Sequence, residues 1–208
     1  MKLNIAVIYG SVRTGRQGIK AAKFVAKKLE ERGHKVALVD PLQYKLPFLD
    51  KMYKEFEKGK APEMMEKLAQ ILENADGFIV VSAEYNHSLP AVLKNLLDHY
   101  QSEYFFKPSG IVTYSAGPFG GVRVAVHLRA IMGELGSVSI PSMFPISKVH
   151  DSFDDDGNPK DEAYNRRIVK FLDEFEWYGC ALKIARDKEK VSEDNVPLTQ
   201  SMCRKRPY

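Results

Sequence analysis

The chain has 208 residues, is 44% hydrophobic and 28% charged, and carries a net charge of +4, which is enough for one well-buried α/β core and short for two. No segment approaches membrane-spanning length. Basic and acidic residues alternate, as in Lys27-Lys28-Leu29-Glu30-Glu31-Arg32, so the charge pattern excludes a nucleic-acid footprint and describes a solvated helix face.

The first seventy-odd residues read as strand, helix, strand, long loop, helix. Residues 3–9 form an apolar run of strand length that leads into Gly10. A polar loop, Ser11-Val12-Arg13-Thr14-Gly15-Arg16-Gln17-Gly18, precedes a helix over about 19–32 that ends at Gly33. Residues 34–40 are the second strand, which completes a βαβ unit. The connection over 41–61 is rich in Pro, Lys and aromatics, and loops of that length in compact domains carry function or meet partners. Pro62 opens a second helix with Met65, Leu68, Ala69 and Leu72 on one face.

The unbroken apolar run at 78–81 fits a strand buried on both faces of a parallel sheet. A polar bend over 82–87 follows it. Ser88 stands as an N-cap two residues before Pro90, and Val92, Leu93, Leu96 and Leu97 recur at helical spacing to about residue 100. Residues 109–115 form a fourth strand, 116–121 a glycine-rich bend, 122–135 a fourth helix and 137–140 a short fifth strand. An extended segment over 141–149 contains two prolines. A last helix over about 161–186 carries Tyr164, Ile168, Leu172, Phe175, Tyr178 and Leu182 on one stripe. Residues 187–208 lose apolar periodicity and read as a tail, which leaves residues 1–186 as the domain.

Strands alternating with helices predict a doubly wound parallel sheet, and the five-strand order 2-1-3-4-5 fits the count. In that order the loops after strands one, three and four share one rim, and these are the three unusual bends. The first offers hydroxyls, two guanidiniums and a helix N-terminus, the partners a phosphate monoester needs. It matches neither a Walker loop nor the dinucleotide fingerprint, and read alone it is equally a solvated loop with two surface arginines. The second offers backbone donors and the flat ring of Tyr85. The third offers backbone with little side chain, so a planar ring could approach closely.

Three motifs carry a family resemblance: Gly10-Ser11-x-Arg13, Glu84-Tyr85-Asn86-His87-Ser88-x-Pro90-x-x-Leu93-Lys94-Asn95-x-x-Asp98, and Ser115-x-Gly117-x-x-Gly120-Gly121-x-Arg123. Over roughly residues 2–148 the chain resembles the NAD(P)H-dependent FMN reductases, flavodoxin-like quinone, azo-dye and flavin reductases. The resemblance implies a three-layer α/β sandwich and non-covalent FMN. It implies Ser11, Arg13, Arg16, Gln17 and Gly18 around the phosphate, Glu84, Tyr85, Asn86 and His87 beside the isoalloxazine, and Ser115, Gly117 and Gly120 closing its other edge. It further implies hydride transfer from NADPH or NADH through the flavin to a small-molecule acceptor bound in the same slot, with no catalytic side chain or metal required. Family members are commonly homodimers or homotetramers. The phosphate loop departs from the family pattern, since Arg16-Gln17-Gly18 replaces a commoner form bearing Ser and Asn. A flavin-binding redox sensor or electron carrier that regulates a protein partner is the alternative reading.

The remaining motifs point to structure. Lys94 and Asp98, spaced i,i+4, can pair on a helix surface. Residues 151–158 invite comparison with a calcium loop, but Phe153 falls on a ligand position and Asp156 where the loop needs Gly, so a polar turn is expected. Cys180 and Cys203 lack CxxC spacing and read as reduced thiols. With no apparent leader peptide, the expected location is cytoplasmic, away from membranes and nucleic acid.

Overall fold

The computed structural model describes residues 1–193. Five strands, β1 (Asn4–Tyr9), β2 (Lys35–Val39), β3 (Gly77–Ala83), β4 (Pro108–Tyr114) and β5 (Val138–Ile146), form an all-parallel sheet in the order β2-β1-β3-β4-β5. The helices are α1 (Gly18–Glu31), α2 (Glu63–Asn74), α3 (Ala91–Asp98), α4 (Val122–Glu134), the single turn α5 (Val149–Ser152) and α6 (Ala163–Glu193).

The two-residue period of each strand divides the core. Ile5, Val7, Tyr9, Ile79 and Val81 face α1 and α6, where Phe24, Phe144, Phe171 and Phe175 fill the layer. Ala6, Ile8, Phe78 and Val80 face α2, α3 and α4, against Leu68, Leu72, Leu93, Leu97 and Leu128. Every residue of β3 and β4 is buried, as central strands covered on both faces require, whereas the edge strands β2 and β5 are partly open. The sheet order and the three-layer sandwich are those expected.

Four local readings are corrected. The short fifth strand and the extended segment after it are one strand, Val138–Ile146, which contains Pro141 and Pro145. It tolerates both because it is an edge strand, and the pairing with β4 shifts register between Ser109 and Ile111. β3 runs to Ala83, so the second bend begins at Glu84. Ser88 does not cap α3, since Pro90 occupies the N-cap with no side-chain hydrogen bond there. The Ser88 hydroxyl instead pairs with His127 Nδ1 at 3.0 Å. Finally, α6 continues to Glu193, seven residues past the expected end, and its Lys183 and Arg186 dock on Asp76. The expected tail from residue 194 on, with Cys203, lies outside the described residues.

The Leu-Lys-Asn segment of α3 is structural. The Lys94–Asp98 pair forms at 2.5 Å. Asn95 accepts from the Leu49 N–H at 2.9 Å and donates to the Pro47 carbonyl at 2.7 Å, pinning the loop after β2. The Asp154 carboxylate closes the acidic turn by accepting from the N–H groups of Asp156 and Asn158. Cys180 is a free thiol, and no described helix is long and apolar enough to cross a membrane.

Candidate functional site

The bends after β1, β3 and β4 meet at the carboxyl edge of the sheet, beside the β1/β3 switch point where open α/β sheets place ligands. Between them lies a cavity of about 320 Å³, within the usual range for ligand pockets. Its walls include Ser11, Arg13 and Gln17 from the first bend, Tyr85 from the second and Ser115 from the third. A larger cavity of about 660 Å³ lies along β2 and α2, lined by Asn4, Lys35 and Asn74 at the opposite edge. It holds no convergence of loops, and topology favours the smaller one.

The first bend is organised by an ion pair absent from the sequence reading. Arg16 places its guanidinium on Asp40, just beyond β2, with Nη1–Oδ1 at 2.6 Å and Nη2–Oδ2 at 2.5 Å. Nη1 also donates to the Ser11 carbonyl at 2.8 Å, and the group lies over the Tyr9 ring at 5.1 Å. Hydrogen bonding to Asp40 raises the Arg16 pKa, against a smaller opposing effect of burial. Arg13 differs. It pairs with no carboxylate among the described residues and rests 5.7 Å from the centre of the Tyr85 ring. Gln17 is the N-cap of α1, yet its side chain makes no capping bond and donates instead to the Gly15 carbonyl at 3.0 Å. The N–H groups of Gly18 and Ile19 at the start of α1 therefore have no capping side chain, while the Lys20 N–H donates to the Gln17 carbonyl at 3.1 Å.

Gly18 belongs to packing. A Cβ there would lie 2.0 Å from the Tyr114 ring, so glycine is what lets the end of β4 slide beneath the start of α1. Tyr114 lines the cavity, and its hydroxyl donates to that of Tyr9 at 3.2 Å. Burial pushes both phenols up in pKa from the ordinary value, so they ionise less readily than free tyrosine. Ser11 is buried and its hydroxyl meets that of Tyr85 at 2.9 Å, joining the first bend to the second.

In the second bend Tyr85 and Ser88 exchange backbone hydrogen bonds at 2.9 and 3.0 Å around Asn86 (φ 50) and His87 (φ 67). Positive φ at both central residues makes this a type I′ turn. Asn86 and His87 are exposed on the rim and stand outside the cavity wall. Glu84 lines the wall, but its carboxylate accepts from the Arg123 N–H at 3.0 Å and from the Arg123 guanidinium at 3.3 Å, so it caps α4.

In the third bend the Ser115 hydroxyl donates to the Gly117 carbonyl at 3.1 Å, and Gly117 has open space around it. The Ser115 and Gly117 carbonyls accept from the N–H groups of Val149 and Lys148. Gly120 is buried at φ 64, where a Cβ would press on Pro145 and Ile146 at 3.1 Å. Its missing side chain serves the close turn into α4. Among the expected site residues, then, Ser11, Arg13, Arg16, Gln17, Glu84, Tyr85 and Ser115 gather at the cavity. Asn86, His87 and Gly117 form its rim, while Gly18 and Gly120 stand outside the cavity wall and the missing Cβ of each serves packing.

Tyr114 and Asp40 escaped the sequence reading. Tyr114 reads as one more apolar strand residue, and Asp40 as a strand terminus. The contact-free clue to both was local: a glycine at the first position of α1 and a carboxylate at the end of a strand beside an arginine-bearing loop.

The donor set fits a phosphate monoester. An unpaired guanidinium, a hydroxyl and an uncapped helix start converge on one cavity, and no anionic side chain there is left without a cationic partner.

The model of the NADPH-dependent FMN reductase family matches residues 3–151. A 2-hydroxy-1,4-benzoquinone reductase from Burkholderia sp. is 30% identical over 186 residues, which is 84% of this chain and 95% of the relative. A quinone reductase from Escherichia coli is 33% identical over 135 residues, 63% of this chain and 70% of the relative. Among solved structures, the flavoenzyme FerB, an NAD(P)H:(acceptor) oxidoreductase from Paracoccus denitrificans, superposes with a TM-score of 0.69 at 24% identity, covering 85% of this chain and 98% of that one.

Proposed function

The chain belongs to the NADPH-dependent FMN reductase family and is an NAD(P)H-dependent FMN oxidoreductase, and from that premise we propose where the cofactor sits and what it reduces. The FMN phosphate takes the Arg13 guanidinium, the Ser11 hydroxyl and the first N–H groups of α1. The ring lies outward beside Tyr85 and the Asn86–His87 turn, with the Ser115–Gly117 backbone along its other edge. The observation that carries this reading is the meeting of three sequence-distant bends at one cavity with a guanidinium left unpaired.

Bound FMN supplies the chemistry, taking a hydride from NAD(P)H and giving it to an acceptor. The protein contributes binding and orientation. Arg13 and α1 fix the phosphate end, and the Ser11–Tyr85 hydroxyl pair couples that end to the ring-side turn. Tyr114, buried at the end of β4, closes the cavity wall on that side and excludes water there. We take the acceptor to be a quinone, in keeping with the activity named for the two curated relatives. Azo compounds and free flavin are further acceptors of the same open slot.

The same proposal places the enzyme in the cytoplasm as a homodimer or homotetramer. Phe119 and Val126 are about two-thirds exposed beside the third bend, an apolar surface that a second copy would cover. The direct test is an absorption spectrum of the purified protein followed by NADPH oxidation with a benzoquinone. Flavin absorbance and quinone-dependent turnover are expected. A protein that stays colourless in excess FMN would end the reading.

A further inference from the structure

The structure assigns Asp40 and Arg16 a joint role as a latch that sets the shape of the phosphate loop, so that Arg16 is a positioning residue and Arg13 the cation that meets the phosphate. This rests on FMN as the cofactor of the cavity.

Geometry separates the two arginines. Arg16 is held on three sides: the forked contact with Asp40, the Ser11 carbonyl and the Tyr9 ring. Its own backbone N–H donates to the Arg13 carbonyl at 3.2 Å, so one residue gathers both ends of the turn that carries Arg13. Asp40 is equally fixed. Its Oδ1 also accepts from the Leu42 N–H at 3.0 Å, and its carbonyl accepts from Gln43 and Tyr44. Both side chains are largely buried, at 15% and 7% exposure.

A guanidinium that left this arrangement for a phosphate would strand a buried carboxylate, which is costly. While paired, Arg16 also offers the phosphate almost no net charge. The pair therefore acts through the loop. It holds Ser11 and Arg13 at the mouth of α1 and ties the loop to the end of β2, the strand next to the switch point.

The two roles predict opposite signs for one substitution. If Arg16 bound the phosphate directly, Asp40→Asn would remove a competing anion and tighten FMN. If the pair is a latch, the same change loosens it. Apo-protein titrated with FMN and with riboflavin, read by fluorescence quenching, decides. The loss of a charged hydrogen-bonded fork predicts FMN affinity weakened about 10- to 100-fold in Asp40→Asn. Arg16→Met should match it, and the double variant should be no weaker than either single one. Riboflavin, which lacks the phosphate, should bind all of them as it binds the wild type.

Arg16→Lys guards against a trivial charge effect. It keeps the charge and loses the fork, and it should behave like Arg16→Met. Unaltered far-UV circular dichroism in each variant shows that the fold persists, and a change in overall stability alone would not move the FMN-to-riboflavin ratio. Tighter or unchanged FMN binding by Asp40→Asn, or full retention by Arg16→Lys, overturns the latch and leaves the cofactor in place. Failure of the wild type to bind either flavin overturns the cofactor reading and the latch with it.

Discussion

The two edges of the sheet carry similar chemical groups and use them in opposite ways. At the amino edge, Asp76 accepts from the Asn4 N–H at 2.9 Å, from Lys183 at 2.9 Å and from Arg186 at 3.1 Å. Lys107 is buried there and donates to the last carbonyls of α2, those of Leu72 and Glu73. His34 receives the Leu3 N–H on Nδ1 and meets Glu176 through Nε2. Each of these groups answers another. At the carboxyl edge Arg13 answers no carboxylate among the described residues, α1 begins without a side-chain cap, and Asn86 and His87 hold left-handed backbone. Polar groups alone do not mark a site; groups left incomplete around a cavity do.

The largest effect expected from breaking this contrast lies at the closed edge. Asp76→Ala leaves two cations and a backbone N–H without their shared acceptor, and because both cations keep some contact with water the expected loss is about 2–3 kcal/mol of stability. Thermal and urea melts of the apo-protein would measure it. FMN affinity should not change, and a parallel loss of FMN would show that the edges are coupled.

Arg13→Ala is the mirror experiment. Removing one charge-assisted contact predicts about 1.5–3 kcal/mol of lost FMN affinity, roughly 10- to 100-fold, with apo-protein stability intact. Full flavin retention would remove Arg13 from the phosphate site.

A smaller effect follows from pH. Burial, aided by the charge of Arg186, lowers the Lys107 pKa to about 8, against contributions from Asp76, Glu103 and Glu73 that raise it. The unfolded chain then binds the proton more tightly than the folded one between pH 8 and the ordinary lysine value of 10.5. Stability from this group is complete above that window and is lost as the pH falls through 8. Raising the pH from 7 to 9 should therefore add about 1 kcal/mol, and Lys107→Met should lack that gain. Above pH 10 the trend reverses, because burial raises the phenols of Tyr9 and Tyr114 and their ionisation favours the unfolded chain. Melting midpoints of both proteins across pH 7–11 test the sign on each side.

What the sequence could reveal follows from the range of the physics involved. Apolar runs at 3–9 and 78–81 and helical stripes such as Leu93, Leu96 and Leu97 encode burial within a few residues, so sheet order and the three bends were legible. The Arg16–Asp40 pair spans 24 positions and joins two charges that each read as solvated. Gly18 looked like a flexible loop residue because the Tyr114 ring that requires it comes from β4, far along the chain. Asn95 sat inside a motif associated with the flavin, yet both ends of its amide serve the loop after β2. Pro141 and Pro145 read locally as strand breakers, although the expected sheet order already places the fifth strand at an edge, where such residues are tolerated.

The smallest expected effect sharpens the contrast most, because its two readouts should move in opposite directions. His87 occupies the second central position of a type I′ turn at φ 67, a site where glycine carries no steric penalty. A left-handed conformation costs an ordinary residue about 1–2 kcal/mol, while glycine gives back part of that through the entropy of the unfolded chain. His87→Gly should thus stabilise the apo-protein by about 0.5 kcal/mol. If the imidazole stands beside the flavin ring, the same variant should lose turnover with quinone. Strain retained at a cost to stability is the mark of a position kept for its side chain. A variant that is both more stable and fully active would reduce His87 to a turn residue, and would shift the ring-side contacts toward Tyr85 and the backbone of the third bend.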